Sequence, residues 1–207
     1  MKIIALSGID GSGKTTQADL LEKYLEKQGK KVARFHAVSF SIANRKKSKS
    51  QKSKSVTKAS PQKIFLRKIA LLIDLYRFKK YQQKLKKNGI AFLIADRYFY
   101  DQIINILFLE NKQTLTGLLK MAEKEIARPN QYFWINTNPE TAIRREREID
   151  QNIAYLKKKQ QLYQTFSRHW QMRIINGDQP KEKIAEIIQG SQVRRSEERR
   201  VGKECRS

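Results

Sequence analysis

The stretch "GIDGSGKT", from Gly8 to Thr15, decides the fold because it satisfies the spacing G-x-x-x-x-G-K-S/T. Its glycines permit backbone conformations that a side chain would forbid. The N–H groups of such a loop surround a phosphate at the positive end of the following helix. The stretch therefore predicts a nucleoside triphosphate site; the weaker alternative is a Gly/Ser-rich turn that matches the pattern by chance.

Donor-side contacts are predicted from this loop and the helix that it opens. Lys14 is expected to reach the outer phosphates of ATP, and the Thr15 hydroxyl is expected to coordinate Mg²⁺. ATP and Mg²⁺ are thus the expected ligands. The predicted ATP-binding residues are Gly8, Gly11, Ser12, Gly13, Lys14, Thr15 and Thr16.

Strand and helix patterns alternate on both sides of the loop. Short apolar or β-rich runs predict strands at 2–6, 31–37, 90–96, 131–136 and 172–176. Helical periodicity predicts helices at about 14–28, 61–87, 100–110, 113–127, 139–148, 151–170 and 180–189. This alternation predicts one α/β domain over residues 1–190, with a parallel five-stranded sheet and helices on both faces.

A second informative stretch is "LIADRYFYD", in which the third strand ends at Asp96 and Arg97 follows at once. In proteins with a phosphate loop, an Asp at this place commonly assists Mg²⁺. The alternative is an ordinary Asp that caps a turn. Arginine suits phosphate because its planar fork binds two oxygens at once.

The chain is strongly basic. Its 207 residues contain 44 Lys+Arg against 20 Asp+Glu, a net charge of +24. Such a balance favours anionic partners such as nucleotides, nucleic acid or an anionic membrane face. No apolar run approaches the roughly 20 residues that span a bilayer, and no signal peptide is recognisable, so a cytoplasmic location is expected. Residues 45–60, "RKKSKSQKSKSVTKAS", are expected to form a mobile Lys/Ser-rich loop.

The last 13 residues, 195–207, read "RSEERRVGKECRS". This string is a frame translation of a common sequencing-adapter oligonucleotide, so we interpret it as an artefact tail; the alternative is a native basic tail. The tail holds five basic and three acidic residues, which leaves 39 basic against 17 acidic residues, or +22. It also holds the only cysteine, Cys205, so no disulfide or thiolate site is expected in the native part.

Three features together resemble the thymidylate kinase family of nucleoside monophosphate kinases: "GIDGSGKTTQ", "DRY" at 96–98, and the Arg-rich segment after "NPETA". The resemblance covers most of residues 1–190 and is strongest at the first two motifs. It implies a three-layer P-loop NTPase fold and phosphoryl transfer from ATP to a nucleoside monophosphate, with dTMP as the first candidate acceptor. It also makes a homodimer plausible.

The resemblance implies roles for individual residues. Asp10 would contact the sugar hydroxyl of the acceptor, Asp96 would serve the metal, and Arg97 would lie near the phosphates. Arg77, on the long helix before that strand, matches an arginine that holds the acceptor phosphate; the alternative is an exposed helix arginine. Tyr98 and Asp101 also fall on the acceptor side, although aromatic residues after a strand are more often part of the core.

A lid over ATP is implied at about 140–152, where Arg144, Arg145 and Arg147 are the candidate catalytic arginines. The alternative is a solvated charged helix face, in which Glu140 and Arg144, four residues apart, simply pair. His36 and His169 are isolated in the sequence, and no histidine catalysis is expected.

The chain also departs from the family pattern. Many members have Ser where this chain has Asp101, and the family's Arg-Glu-Pro after the second strand is replaced by "FHAVSFSI". These changes fall on the acceptor side, so ATP use is better supported than dTMP. Two alternatives stay open: a kinase with another small acceptor, and a basic nucleic-acid-associated ATPase, although no recognised nucleic-acid module is visible.

Overall fold

The computed structural model describes residues 1–44, 59–145 and 152–191. Their centre is a five-stranded sheet with the order β2-β3-β1-β4-β5, in which every pairing is parallel. The strands are β1 (Lys2–Ser7), β2 (Val32–Phe35), β3 (Phe92–Asp96), β4 (Gln131–Asn136) and β5 (Arg173–Asn176). The predicted parallel sheet and α/β fold are confirmed.

Helices connect the strands and cover the sheet. In chain order they are α1 (Lys14–Lys27), α2 (Ala37–Phe40), α3 (Pro61–Lys87), α4 (Phe99–Glu110), α5 (Leu118–Glu125), α6 (Pro139–Arg145), α7 (Ile153–Ser167) and α8 (181–191). The longest, α3, begins where the Ser60 side chain accepts a hydrogen bond from the Lys63 amide, with Pro61 at its first position.

Alternate residues of β1 face opposite layers of the molecule. Ile4 and Leu6 pack with apolar residues of α1 and α8. Ile3 and Ala5 face the larger core, which is formed with α3, α4, α5 and α7. All four side chains are buried, which explains why β1 is a nearly continuous apolar run. Because β1 is central, the loop that follows it lies at the middle of the sheet's carboxyl edge.

The structure differs from the sequence-based expectation at one predicted helix and at two short elements that were not predicted. The helix predicted over 113–127 is confined to Leu118–Glu125, because it starts only after Gly117, whose φ of +48° is not helical. The short helix α2 and a 3₁₀ turn at Ile42–Asn44 were not predicted. Three- and four-residue elements are too short to show a periodic pattern.

Some predictions fall outside the described residues: most of the Lys/Ser-rich loop, Arg147 with part of the lid region, and the 195–207 tail. Across 1–44, 59–145 and 152–191, no helix has both the length and the apolar character needed to cross a membrane.

Candidate active site

The phosphate loop (residues 8–15) takes a path that only glycine tolerates at its turning points. Gly13, with a φ of +85°, directly precedes α1, and Gly11 has a φ of +78°. A Cβ atom at Gly11 would lie 2.5 Å from the backbone oxygen of Ala142 in α6. The loop thus packs tightly against α6, and within it the Ser12 amide donates to the Ile9 carbonyl at 3.2 Å.

Lys14 is folded back into the mouth of the loop. Its buried ammonium donates to the Ile9 carbonyl at 2.5 Å and to the Ser12 hydroxyl at 3.1 Å. Burial, together with the positive charge of Arg97, lowers the pKa of Lys14 to about 8. An anionic phosphate in the loop would favour the charged form of this lysine.

Thr15 and Asp96 meet at the start of α1. The Thr15 hydroxyl donates to Asp96 Oδ2 at 2.6 Å, whereas the buried Oδ1 of Asp96 has no hydrogen-bond partner. Arg34 approaches the same carboxylate at 3.9 Å. A hydroxyl beside an unpartnered carboxylate oxygen fits Mg²⁺, which takes few protein ligands and completes its shell with water and phosphate oxygens. Accordingly, no cluster of three or more His, Cys, Asp or Glu side chains suited to a metal occurs among the described residues.

Arg97 is fixed by its backbone and paired with Asp10. It has a left-handed φ of +72°, its amide donates to the Leu6 carbonyl, and its own carbonyl accepts from the Ala37 amide. Its guanidinium forms an ion pair with the Asp10 carboxylate. Burial alone would raise the pKa of Asp10, but the charges of Arg97, Lys159 and Lys14 outweigh burial and hold it well below its usual range. A non-glycine residue held at positive φ is costly and is often found at functional sites.

Asp101 is the centre of a buried hydrogen-bond network rather than an exposed acceptor ligand. It accepts bonds from the Ser7 hydroxyl at 2.6 Å, the Tyr163 hydroxyl at 2.6 Å and the Tyr98 amide at 2.7 Å. The Tyr132 hydroxyl lies 2.9 Å from the Ser7 oxygen. One carboxylate thus ties together β1, α7 and the first turn of α4, Ser7 extends the network to Tyr132 of β4, and the Asp at this position is explained by its partners.

We expect Asp101→Ala to lower the free energy of unfolding by about 2–4 kcal/mol, because the Tyr163 hydroxyl and the Tyr98 amide would be left buried without acceptors. Urea unfolding monitored by circular dichroism would measure the loss. Glu182→Ala, at a site where the side chain is 68% exposed, is the control and should change stability by less than about 0.5 kcal/mol. Equal stability of the two variants would contradict this role of Asp101.

Tyr98 lies in the aromatic core. Its side chain is fully buried, its hydroxyl donates to the Ala127 carbonyl at 2.7 Å, and its ring packs edge-on against Phe78. The structure therefore gives the side chain no contact surface for an acceptor base.

Arg77, the predicted ligand of the acceptor phosphate, already has a counter-ion. One of its terminal nitrogens donates to Asp74 Oδ1 at 2.6 Å and to the Phe40 carbonyl at 3.0 Å, and the guanidinium lies over the Phe40 ring. Asp74 is completely buried, and its Oδ2 has no hydrogen-bond partner. Arg77 thus helps to hold the 37–42 segment against α3, and its other N–H groups make no hydrogen bond within the described residues.

Among the candidate lid arginines, the structure describes Arg144 and Arg145, both exposed on α6. Arg145 donates to the Gly177 carbonyl at 2.7 Å. Glu140 approaches Lys157 at 3.8 Å, so its described ion-pair partner is Lys157 and not Arg144.

Three cationic or titratable side chains at the site were not predicted from the sequence. His36 caps α2 by accepting the Ser39 amide at 3.3 Å, and burial, with Arg97, lowers its pKa. The guanidinium of Arg34, on β2, lies 3.9 Å from the Asp96 carboxylate. Lys159 is buried on α7, and burial lowers its pKa to about 8. Only Lys159 left a signal in the sequence, since it falls on the apolar face of its helix.

Known proteins resemble the chain along most of its length. The thymidylate kinase family model matches residues 6–188. The thymidylate kinase of Thermosipho africanus is 31% identical over 164 residues, which cover 77% of each chain. A probable thymidylate kinase of Methanosphaera stadtmanae is 28% identical over 77% of this chain and 80% of its own length. The probable thymidylate kinase 1 of Saccharolobus solfataricus is 24% identical over 89% of this chain and 93% of its own. With the phosphate loop, Asp96 and Arg97 in place within the matched region, the chain belongs to the thymidylate kinase family.

Proposed function

We propose that the chain transfers the γ-phosphoryl group of ATP to dTMP and releases ADP and dTDP. One observation carries the proposal: Lys14 and Thr15 of the phosphate loop lie beside Asp96 and Arg97 at the carboxyl edge of the sheet. Members of this family are nucleoside monophosphate kinases, and the relatives named above point to dTMP as the acceptor.

On the donor side, the loop amides would bind the phosphates of ATP, and Lys14 would exchange the Ile9 carbonyl for phosphate oxygens. Desolvation of Lys14 strengthens its interaction with an anion that enters the same water-poor site. Thr15 and Asp96 would hold Mg²⁺. When bound, Mg²⁺ supplies positive charge to the β- and γ-phosphate oxygens.

On the acceptor side, Asp10 would accept a hydrogen bond from the sugar hydroxyl, and Arg97 would donate to the phosphates between which transfer occurs. Asp10 uses only part of the guanidinium, which has five N–H donors. Arg77 can offer the N–H groups that Asp74 and Phe40 leave unused. We propose Arg144, Arg145 and Arg147 as the lid arginines that face the donor phosphates after nucleotide binding.

The chemistry asks little of the protein beyond positioning and charge. A phosphate oxygen of the acceptor attacks the γ-phosphorus, the bond to the bridging β,γ-oxygen breaks, and ADP leaves. The second pKa of a phosphate monoester is about 6, so the attacking oxygen is largely ionised at neutral pH. No histidine base is required, in agreement with the capping role of His36.

ADP release with ATP and Mg²⁺, measured against a panel of acceptors, tests the proposal. The panel contains dTMP, other nucleoside monophosphates, thymidine and single-stranded DNA. We expect turnover with dTMP to exceed that with every other acceptor. Preferred turnover with another monophosphate would replace the named acceptor; turnover with thymidine or stimulation by DNA alone would overturn the monophosphate kinase assignment.

A homodimer is also proposed. The helix α3 exposes large apolar side chains on its outer surface: Phe65 (57%), Leu66 (64%), Ile73 (43%) and Tyr76 (61%). Burial of such a surface against a second copy would be favourable. Light scattering would distinguish one chain from two.

The nucleotide substrates further suggest a cytoplasmic location, which fractionation of the source cells would test. Nucleic-acid binding rests only on the net charge and the Lys/Ser-rich sequence at 45–60, and it is not favoured.

A further inference from the structure

Lys159 is unusually deeply buried for a lysine. Its side chain is 4% exposed on the inner face of α7, between Tyr155 and Tyr163, which are also buried. Its neighbour Lys157 points outward, with 56% of its side chain exposed. Lysine is almost never fully buried unless it is paired, so this position needs a specific explanation.

The contacts of α7 place Lys159 at the carboxyl edge of the sheet. One residue later, Gln160 donates to Asn136 Oδ1 at 2.7 Å and to the Thr137 carbonyl at 3.2 Å, at the end of β4. One turn later, Tyr163 is bonded to Asp101 in the first turn of α4. Lys159 therefore faces the space between these two anchors, where its charge interacts with Asp10 and Arg97.

Within the described residues, Lys159 has no hydrogen-bond acceptor and no ion pair; its ammonium lies 4.8 Å from the centre of the Tyr155 ring. The nearby carboxylates are engaged elsewhere, since Asp10 pairs with Arg97 and Asp101 accepts three other donors. A buried charge without a direct partner costs several kcal/mol. Such a site is prepared for an anion that arrives with the substrate.

We propose that Lys159 is a catalytic residue whose ammonium contacts the phosphate of the acceptor nucleotide. The inference rests on the proposed function and extends it to a residue outside the phosphate loop, the "DRY" motif and the lid. Lys159 lies toward Asp10, Arg97 and Asp101, whereas Lys14 and Asp96 mark the donor side. Transfer brings two anionic substrates together, and a desolvated cation at their meeting point favours that encounter.

The test compares Lys159→Met, which keeps the length of the side chain and removes the charge, with Lys159→Arg, which restores a cation. Lys157→Met is the matched control on the same helix. For Lys159→Met we expect kcat/KM for dTMP to fall about 10²-fold while the KM for ATP stays within about 3-fold. Lys159→Arg should recover at least about 10-fold of the loss, and Lys157→Met should match the unsubstituted chain.

Binding measurements separate contact with a phosphate from a structural role. By calorimetry, Lys159→Met should weaken dTMP binding and leave thymidine binding unchanged. Its Tm should not fall, because a buried charge without a direct partner is replaced by an apolar side chain of similar length. Equal weakening of dTMP and thymidine, a lowered Tm, or unchanged kcat/KM would overturn the proposal.

These readouts also separate the proposal from the assigned activity. If the unsubstituted chain prefers another monophosphate, the same comparison is made with that nucleotide and its nucleoside. If the chain phosphorylates no monophosphate, the proposed function fails, whereas the dTMP and thymidine affinities still decide whether Lys159 binds phosphate. If Lys159→Met does not fold, Lys159→Gln replaces it in all measurements, and failure of both to fold would establish a structural role.

Discussion

Lys14→Ala is expected to reduce kcat/KM for phosphoryl transfer by about 10²–10³-fold, the usual effect of removing one preorganised charge-stabilising donor. The alanine leaves the loop glycines and Thr15 in place, so the loop path should persist. What disappears is the ammonium that now donates to Ile9 and Ser12. Steady-state ADP release with varied ATP would show the loss, and calorimetry with ADP would show how much of it is weaker nucleotide binding.

Lys23→Ala is the control for this substitution, because Lys23 lies on the same helix and is exposed. It removes the same positive charge from α1 without touching the loop, and its activity should remain within about 2-fold of the unsubstituted chain, as for a typical surface change. Full phosphoryl transfer by Lys14→Ala would show that the loop does not bind the transferred phosphate in the manner described.

Arg97→Ala is expected to have an effect at least as large, about 10³-fold in kcat/KM, because arginines that face the transferred phosphoryl group contribute about 10³–10⁵ in related chemistry. Two functions are lost together. The phosphates lose a donor with forked geometry, and the Asp10 carboxylate loses the counter-ion whose charge most strongly favours its ionised form. Initial rates at saturating ATP and varied dTMP would measure kcat/KM and separate it from kcat.

Arg97→Lys separates the two functions of this side chain. A lysine keeps a positive charge near Asp10 and loses the planar fork, so activity should stay low if bidentate phosphate binding matters. Arg168→Ala, at an exposed arginine after α7, controls for the loss of net charge. Near-normal activity of Arg97→Lys would mean that charge, and not geometry, is what Arg97 contributes.

The features that could be predicted from the sequence are local ones. The apolar run of β1, the spacing of the phosphate loop and the bounds of α3 each depend on a short segment, and all three agree with the structure, whereas Phe65 and Tyr76, which carried the apolar period of α3, are exposed. The pairing of Thr15 with Asp96 followed from motif logic, since parallel strands place their carboxyl ends at one edge. The strand order was not predicted, because it depends on contacts between distant segments.

The partners of Asp101 and the burial of Lys159 could not be predicted, for the same reason. The hydrogen-bond partners of Asp101 are Ser7, Tyr98 and Tyr163. No local sequence pattern predicts that Ser7 and Tyr163 contact this residue. Lys159 stands in a run of three lysines, which is typical of a solvated helix surface. Only its position on the same helix face as Leu156 and Tyr163 indicates that it points inward. The Arg77–Asp74 pair has the i, i+3 spacing of neighbours on one helix face, so this contact is a local feature of the sequence.

The Asp101 network also has a consequence in time. Ser7 belongs to β1, and Tyr163 on α7 follows 156 residues later in the chain. At about 5–20 residues per second, synthesis of that interval takes roughly 8–30 s. During it the phosphate loop has been made, but α7, which carries Tyr163, has not. The Asp101 network can therefore close only late in synthesis, and an incomplete chain leaves this carboxylate without its Tyr163 donor.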